Sequence, residues 1–303
     1  MRRILVAGSL NMDMVIETPK VPALGETLLG GGFFTAPGGK GANQAAAAAR
    51  LGGSVAMAGC VGSDMFGAKL KSNLEEAGVD TKRVRVIENV PTGVAVIAVC
   101  GGDNFIIVDA GANGCFSAED VASEMFEGVG IAMTQLEIPA EAAFHFIKTA
   151  KESGARVLLN PAPAREIPRD IFSSVDILTP NETECSFLIG SEIKNARDAA
   201  QAVPVLLNRG VKSAVITLGE AGAVYNDGEE IRYCPVEKVI AVDATAAGDC
   251  FSAALAVALC EGRGINEAVA FACKAASLSV TKKGAQDSLP YRSEVNFKFE
   301  AGK

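Results

Sequence analysis

Short apolar runs rich in valine and isoleucine alternate along most of the chain with longer segments of helical period. Runs at 4–7 and 55–59 predict buried strands, and segments at 44–51 and 66–77 predict helices. The alternation continues with strands predicted at 131–136, 157–159, 175–178 and 214–218 and helices at 142–150 and 199–207. Strands that alternate with helices form βαβ units, so the pattern predicts an α/β fold with a doubly wound, mainly parallel sheet flanked by helices.

Two stretches interrupt this rhythm. Between about residues 14 and 35, β-prone pieces at 14–18, 27–29 and 33–35 are mixed with prolines and glycines. Residues 93–100 and 105–108 predict a hairpin with a turn at 101–104. We expect insertions at about 13–37 and 92–109 to form a small β-sheet that projects from one domain spanning residues 1–303. Because an apolar sheet face needs a cover, a lid, a dimer interface or both is the hypothesis, and an ordinary sheet edge is the alternative.

Composition excludes several classes of protein. The 303 residues, 49% of them hydrophobic, suffice for one large core. A net charge of −8 without a block of lysine or arginine argues against nucleic-acid binding, which needs clustered positive charge. The eight cysteines include no C-x-x-C pair, which favours reduced thiols in the cytoplasm. No apolar run approaches the roughly 18 residues that span a bilayer, so no membrane partner is expected, and the short first run favours a buried strand over a signal peptide.

Polar residues follow the first predicted strand and precede the first predicted helix. Asn11 and Asp13 come directly after the strand, where open parallel sheets bind ligands. Residues 37–44, Pro-Gly-Gly-Lys-Gly-Ala-Asn-Gln, form a glycine-rich turn into the helix, and Lys40 and Asn43 suit the hydroxyl groups of a polar ligand. The spacing is not that of a Walker A loop. An Asx turn and a plain strand-to-helix turn are the alternatives.

Small residues open another candidate site at 243–249, Asp-Ala-Thr-Ala-Ala-Gly-Asp. Backbone N–H groups at the start of the helix that follows would bind an anion. Asp249 falls in its first turn, where a carboxylate could take a proton from a hydroxyl that attacks a phosphoryl group. The alternative is an acidic residue that only favours the helix dipole.

Two further motifs suit a nucleotide and its metal ion. Asn181 and Glu184 lie three residues apart after the strand predicted at 175–178, which suits a hydrated magnesium ion, with a helix-capping pair as the alternative. Residues 217–222, Thr-Leu-Gly-Glu-Ala-Gly, predict either a hairpin turn or a nucleotide-binding loop. His145, the only histidine, falls in a predicted helix, and we expect it to be structural.

In their order along the chain, these motifs resemble those of the PfkB carbohydrate kinases, the ribokinase family. The likeness covers residues 3 to about 295 and includes the motifs above, Asn-Pro-Ala-Pro-Ala at 160–164 and Lys-Gly-Ala-Gln at 283–286. It implies the ribokinase-like fold, with the small β-sheet as a lid. It also implies ATP-dependent phosphorylation of a sugar, with the primary 5-hydroxyl of D-ribose as the expected acceptor.

The resemblance also implies roles for single residues. Asp249 matches the catalytic base, and Ala246, Ala247 and Gly248 match the anion hole for the transferring phosphoryl group. The positions that match sugar-binding residues are Asn11, Asp13, Gly39, Lys40, Asn43, Glu137 and Asp249.

Nucleotide and cation positions follow from the same resemblance. Those for the nucleotide are Asn181, Glu184, Thr217, Gly219, Gly222, Gly248 and Cys273, and Glu184 is also expected to contact Mg²⁺ indirectly. Those for an activating K⁺ ion are Asp243, Thr245, Ser279, Lys282, Gly284 and Ser288, partly through main-chain carbonyls. ATP is then the co-substrate, Mg²⁺ and K⁺ are the metal cofactors, and a homodimer through the small sheet is expected.

The chain departs from the common family pattern at a few positions. Ala246 stands where many members have glycine, Ala244 replaces a commoner threonine, and Cys273 stands where some members have a histidine. 2-Deoxyribose, fructose or adenosine as the acceptor, or a non-catalytic sugar-binding regulator, are the alternative functions. Because Asp249 and the small residues before it are present, the enzyme is favoured over the regulator.

Overall fold

Two β-sheets are built from the part of the chain that the computed structural model describes, residues 2–101 and 103–299. The strands are β1 (Arg3–Ala7), β2 (Asn11–Glu17), β3 (Gly31–Gly38), β4 (Val55–Gly62), β5 (Asp80–Ile87), β6 (Gly93–Cys100), β7 (Asp103–Asp109), β8 (Val129–Thr134), β9 (Arg156–Leu159), β10 (Ile177–Leu178), β11 (Ser213–Thr217), β12 (Ala223–Asn226) and β13 (Ile231–Cys234).

The larger sheet has nine strands in the order β13, β12, β11, β10, β9, β8, β1, β4, β5. Neighbouring strands from β11 to β5 pair in parallel, and β12 and β13 continue the edge in antiparallel pairing. The predicted mainly parallel, doubly wound sheet is therefore confirmed.

Helices cover both faces of this sheet. They are α1 (Lys40–Arg50), α2 (Met65–Glu76), α3 (Ala140–Glu152), α4 (Arg169–Phe172), α5 (Glu182–Ile189), α6 (Ala196–Arg209), α7 (Ala247–Cys260) and α8 (Ile265–Ser279). Because side chains alternate across a strand, Ile4 and Val6 of β1 join the apolar cluster of α1, α2, α7 and α8, whereas Leu5 and Ala7 join that of α3 to α6. No helix in the described part of the chain has the length and apolar character needed to cross a bilayer.

A second, separate sheet has the order β3, β2, β6, β7 and confirms the small sheet predicted from the sequence. Strand β2 pairs with β3 in antiparallel and with β6 in parallel, and β6 and β7 form an antiparallel hairpin. Two details differ from the prediction. Residues 27–29 are not a strand, and the hairpin turn is shorter than 101–104 because Cys100 pairs with Asp103. Gly102 lies outside the described residues.

Candidate active site

Polar residues gather where the central parallel strands end. The chain leaves β1 through Gly8 and Ser9 into β2, leaves β8 through Gln135 towards Glu137, and leaves β9 at Asn160. In an open α/β sheet the carboxyl ends of the strands face the ligand, because the crossover connections diverge there. The first turns of α1 and α7 complete this edge.

The side chain of Asp249 is the centre of the site. Asp249 lies in the first turn of α7 and is 5% exposed. Its Oδ2 accepts a hydrogen bond of 3.0 Å from the Asn43 amide, and its Oδ1 accepts one of 3.0 Å from the Gln44 amide. Burial, the largest influence, raises the pKa of Asp249, although Lys40 and the two amides act in the opposite direction.

The start of α7 has donors available for an anion. Ala246 precedes the helix in the left-handed region, with φ 61°, and the Ala247 N–H donates to the Ala244 carbonyl at 3.2 Å. Within the described part of the chain, the N–H groups of Gly248 and Asp249 have no acceptor. A helix N-terminus with free N–H groups favours negative charge. Of the predicted anion-hole residues, Gly248 is therefore freer to donate than Ala247.

Glycines allow α1 to begin against the backbone that follows β1. Gly39 has φ 88°, and a Cβ there would lie 2.7 Å from the Asn11 nitrogen. A Cβ on Gly41 would lie 2.6 Å from the Gly8 carbonyl carbon. Only glycine permits this approach, which brings Asn43 of α1 beside Asp249. The turn is therefore both a strand-to-helix connection and part of the site.

Charged groups surround Asp249 from several elements. Burial, together with Glu137 and Asp249, raises the pKa of Asp13 to about 7. Burial lowers the pKa of Lys40, but Asp249, Glu137 and Glu184 outweigh it and raise the pKa above its ordinary value. Glu137 Oε2 accepts from the Ser9 hydroxyl at 2.5 Å and from the Lys40 N–H at 3.0 Å. Lys40 thus stays positively charged beside the carboxyl groups of Asp249, Glu137 and Glu184.

Two neighbouring cavities lie at the start of α7. The smaller, about 190 Å³, is lined by Lys40, Asn160, Thr179 and Glu184 as well as by Asp249. The larger, about 690 Å³, reaches the predicted nucleotide loop and is lined by Thr217, Gly219, Gly222, Phe251 and Cys273. Five residues line both cavities: Asn181, Thr217, Ala244, Ala247 and Gly248. The larger volume lies within the range of cofactor sites, and the two cavities meet at the start of α7.

Asn181 and Glu184 cap a helix and also line the smaller cavity. The Asn181 side chain accepts from the Glu184 N–H at 2.8 Å, and Glu184 Oε2 accepts from the Asn181 N–H at 3.0 Å, which is a capping box at the start of α5. The same two side chains line the smaller cavity. Burial raises the pKa of Glu184. The capping alternative is correct, and it leaves both residues facing the cavity.

The predicted potassium residues lie in two segments, 243–245 and 279–288, that are joined by a hydrogen bond between Asp243 and Gly284. Asp243 Oδ1 accepts from the Thr245 N–H at 2.9 Å, and Oδ2 accepts from the Gly284 N–H at 2.9 Å. Ser279 and Ser288 are fully buried, and their hydroxyls donate to the Ala276 and Ala285 carbonyls. The Lys282 side chain pairs instead with Glu294 at the surface, at 2.7 Å.

Several residues of the site carry no role in the sequence prediction. Asn113, in a short 3₁₀ turn, donates to Asn11 Oδ1 at 2.7 Å. Gln44, Gln135 and Asn160 form a buried amide chain that contacts Asp249. A polar residue directly after a buried strand is the signal that identifies Gln135 and Asn160. His145 lies away from these cavities, in the helix that the sequence predicts and on its exposed face.

Comparison with known proteins identifies relatives along the whole chain. The model of the pfkB family carbohydrate kinases matches residues 1–292. The ribokinase of Bacillus subtilis is 42% identical over 297 residues, which are 97% of this chain and 98% of its own. The deoxyribokinase of Salmonella typhi is 36% identical over 297 residues and covers 97% of both chains. The structure of Arabidopsis thaliana ribokinase complexed with ribose and ATP is similar with a TM-score of 0.92 and 36% identity, covering 98% of this chain and 99% of that chain.

Proposed function

The chain belongs to the pfkB family of carbohydrate kinases, and on that premise we propose that it transfers the γ-phosphoryl group of ATP to the 5-hydroxyl of D-ribose. The observation that carries the proposal is the placement of Asp249. Its carboxylate is buried and lines the smaller cavity, and among the described residues the N–H groups of Gly248 and Asp249 have no acceptor. Gly248 also lines the larger cavity. A base and an anion site at one helix start are the parts that phosphoryl transfer needs.

In this mechanism Asp249 is the general base. The sugar binds in the recess between the small sheet and the start of α1, and its primary hydroxyl replaces the Asn43 amide at Asp249 Oδ2. As the hydroxyl oxygen bonds to the γ-phosphorus, Asp249 takes its proton and the bond to the β–γ bridging oxygen breaks, which releases ADP. The raised pKa of Asp249 makes turnover rise with pH until the carboxyl is ionised.

Backbone dipoles and Lys40 stabilise the phosphoryl group during transfer. The N–H groups of Gly248 and Asp249 point from the first turn of α7, where the helix dipole adds partial positive charge. Lys40 lines the same cavity and carries a full positive charge. Charge that develops on the phosphoryl oxygens is thus met by groups already in position.

The larger cavity is the proposed ATP site. The Thr217–Gly222 loop lies on one side, and Phe251 and Cys273 of α7 and α8 lie on the other. Apolar walls suit an adenine ring, and the opening towards Gly248 directs the phosphates to Asp249. Cys273 is 5% exposed and offers a soft apolar surface at the position where the resemblance implies a histidine in some members.

The residues present fit the two metal ions that the family implies. Mg²⁺ would supply charge neutralisation on the phosphates, held through water by Glu184, because no cluster of three or more His, Cys, Asp or Glu side chains in the described residues is arranged to bind a metal alone. K⁺ would be held by the loops at 242–245 and 279–288, which Asp243 joins through its hydrogen bond to the Gly284 N–H. Main-chain carbonyls and serine hydroxyls there are suitable oxygen ligands.

The small sheet is proposed as a lid and as a dimer interface. Asp13 of β2 is buried in the site, so movement of this sheet would open and close the sugar recess. Strand β7 has four side chains that are about half exposed, Phe105, Ile106, Ile107 and Val108. They leave an apolar surface suited to the same surface of a second copy.

The eight free cysteines agree with a reducing, cytoplasmic environment.

ATP consumption across a panel of acceptors tests the substrate. The panel is ribose, 2-deoxyribose, fructose and adenosine, each with KCl and with NaCl at equal ionic strength. We expect ribose to give the highest kcat/KM and K⁺ to raise its turnover. Highest turnover on 2-deoxyribose, which the deoxyribokinase relative makes the second candidate, would keep the family and replace the substrate. Binding of ribose in calorimetry without turnover on any acceptor would favour a sugar-binding regulator.

A further inference from the structure

A chain of buried side-chain amides contacts the carboxylate of Asp249. It runs from Asn160, after β9, through Gln44 of α1 to Gln135, after β8. Gln44 and Gln135 are fully buried, and Asn160 is 7% exposed. Gln44 Nε2 donates to Asp249 Oδ1 at 3.0 Å and to Asn160 Oδ1 at 3.2 Å, and Gln44 Oε1 accepts from Gln135 Nε2 at 2.5 Å.

One backbone carbonyl sets the orientation of every amide in this chain. Asn160 Nδ2 donates to the Thr179 carbonyl oxygen at 2.9 Å, and a carbonyl oxygen can only accept. The Asn160 oxygen must therefore face Gln44, so Gln44 must present its NH₂ group. That group has two hydrogens, which serve Asn160 and Asp249. The Gln44 oxygen then faces Gln135 and can only accept from it.

We propose that Gln44 is a positioning residue for phosphoryl transfer, which holds Asp249 Oδ1 so that Oδ2 faces the attacking hydroxyl. The proposal rests on the function proposed above. It is specific to Gln44, since Asn43 is the residue whose amide the sugar hydroxyl replaces. A hydrogen bond donated to Oδ1 also favours the ionised carboxylate, which is the form that accepts the proton.

The hydrogen bond from Gln44 matters because burial and most of the charged groups near Asp249 favour its neutral form. Lys40 of α1 is the positive group that faces it, whereas Asp13 of β2, Glu137 after β8 and Glu184 of α5 are acidic. Three carboxyl groups and burial favour a neutral Asp249. The neutral amides of Asn43 and Gln44 act in the opposite direction. In the mechanism proposed above, the sugar hydroxyl replaces Asn43. With substrate bound, Gln44 is then the amide that remains on the carboxylate.

The test is the pH dependence of kcat for Gln44→Met, with Gln135→Met as the matched control. Methionine keeps the length of the side chain and removes both donors. We expect kcat at pH 7 to fall about 10- to 100-fold, with KM for sugar and ATP within about threefold, because a hydrogen bond to a charged group is lost. The acid limb of the kcat profile should move up by about one pH unit or more.

Gln135→Met removes the partner of the Gln44 oxygen and leaves both Gln44 donors in place. Its acid limb should match wild type, with a kcat loss below about fivefold. If Gln44→Met does not fold, the pH dependence of kcat is measured on Gln44→Glu, whose side chain is nearly identical in shape to glutamine. It adds a carboxyl group beside Asp249, so its acid limb should also move up.

An acid limb at the wild-type position in both Gln44 variants would overturn the proposal, as would equal losses in Gln44→Met and Gln135→Met. Asp249→Asn in the same assay separates this failure from failure of the proposed function. If Asp249→Asn keeps wild-type turnover, Asp249 is not the base and the proposed mechanism fails. If Asp249→Asn is inactive and the Gln44 profiles are unchanged, only the role of Gln44 is wrong.

Discussion

At the scale of single residues, two positions at the start of α7 have different constraints. The backbone conformation is the constraint at Ala246, and the neighbouring cavity is the constraint at Gly248. Ala246 adopts a left-handed conformation that glycine adopts more readily, and this costs roughly 1 kcal/mol or more. Gly248 has ordinary backbone angles, and a Cβ built on it would meet nothing within 4 Å. The fold would therefore tolerate alanine at 248. The absence of a side chain there is explained by the cavity that Gly248 lines.

Gly248→Ala should consequently fold as the wild type does but lose activity. Its methyl group enters the path of the phosphoryl group, and we expect kcat/KM to fall about 100-fold or more. The measurement is steady-state kinetics beside thermal unfolding. Ala246→Gly is the companion variant, and we expect it to gain up to about 1 kcal/mol of stability. Wild-type kinetics for Gly248→Ala would show that the phosphoryl group does not pass this residue.

Asp13 makes folding stability depend on pH. Its pKa is raised by burial, Glu137 and Asp249 to about 7 in the folded protein, against an ordinary value of 3.8. The folded state therefore binds more protons than the unfolded state between these values, so stability falls as pH rises from about 4 through 7. Asp13→Asn cannot ionise. The unfolding free energy of Asp13→Asn minus that of wild type should therefore be roughly 2 to 4 kcal/mol larger at pH 8 than at pH 4, as follows from the size of the pKa shift. Urea denaturation at both values checks this, and a constant difference would contradict it.

At the scale of elements, a short turn fixes the small sheet to the main domain. Asn113, in the 3₁₀ turn Gly111–Cys115, accepts from the Leu10 N–H at 2.8 Å and donates to the Leu10 carbonyl at 3.0 Å and to Asn11. One buried amide thus ties the turn after β7 of the small sheet to Leu10, in the connection that leaves β1 of the larger sheet. This contact fixes the side chain of Asn11, which we propose binds the sugar.

Asn113→Leu should raise KM for the sugar about tenfold or more and leave KM for ATP nearly unchanged, because three buried hydrogen bonds at the sugar side are lost. Unfolding free energy should fall by about 2 to 3 kcal/mol. Asn195→Ala is the control, since it removes a helix cap from α6 and costs about 1 kcal/mol without any contact to the site. Equal effects of both variants on sugar KM would contradict the assignment.

The elements also show how far the sequence predicts this structure. Sequence patterns are sufficient to predict β1 and β4, because strands buried on both faces are short continuous apolar runs. They are also sufficient to predict α1, whose run of alanines strongly favours a helix. Residues 27–29 have β-prone character but no strand to pair with, and pairing is a tertiary property. Asn113 and Gln44 act through partners about 100 residues or more away, at Leu10 and Asp249. Local spacing does not encode such pairs, so the sequence indicates Asp249 and Asn43 as site residues but does not predict that Gln44 contacts Asp249.

At the scale of the whole molecule, the small sheet leaves an apolar surface that the described chain does not cover. Strand β7 is one of the two edge strands of this sheet, and Phe105, Ile106, Ile107 and Val108 expose 49% to 58% of their surface. An exposed edge of this kind is a hazard for a monomer unless a partner covers it. In the dimer that we propose, a second copy covers this edge.

Ile107→Glu should therefore convert a dimer to a monomer, because a carboxylate in an apolar interface is left without compensation. Sedimentation velocity at several concentrations is the measurement. Val205→Glu, on the exposed side of α6 and far from the small sheet, is the control that should leave the dimer intact. A wild-type protein that sediments as a monomer at every concentration would exclude the interface.

Product analysis shows whether Asp249 activates the primary hydroxyl of ribose. Wild type and Asp249→Asn are each incubated with ATP, Mg²⁺, K⁺ and ribose, and phosphorus NMR follows the products. We expect ribose 5-phosphate in equal amount to ADP for wild type, and a rate at least about 1,000-fold lower for a folded Asp249→Asn. Ribose 5-phosphate formed by Asp249→Asn at the wild-type rate, or ADP formed by wild type with ribose unmodified, would contradict this role of Asp249.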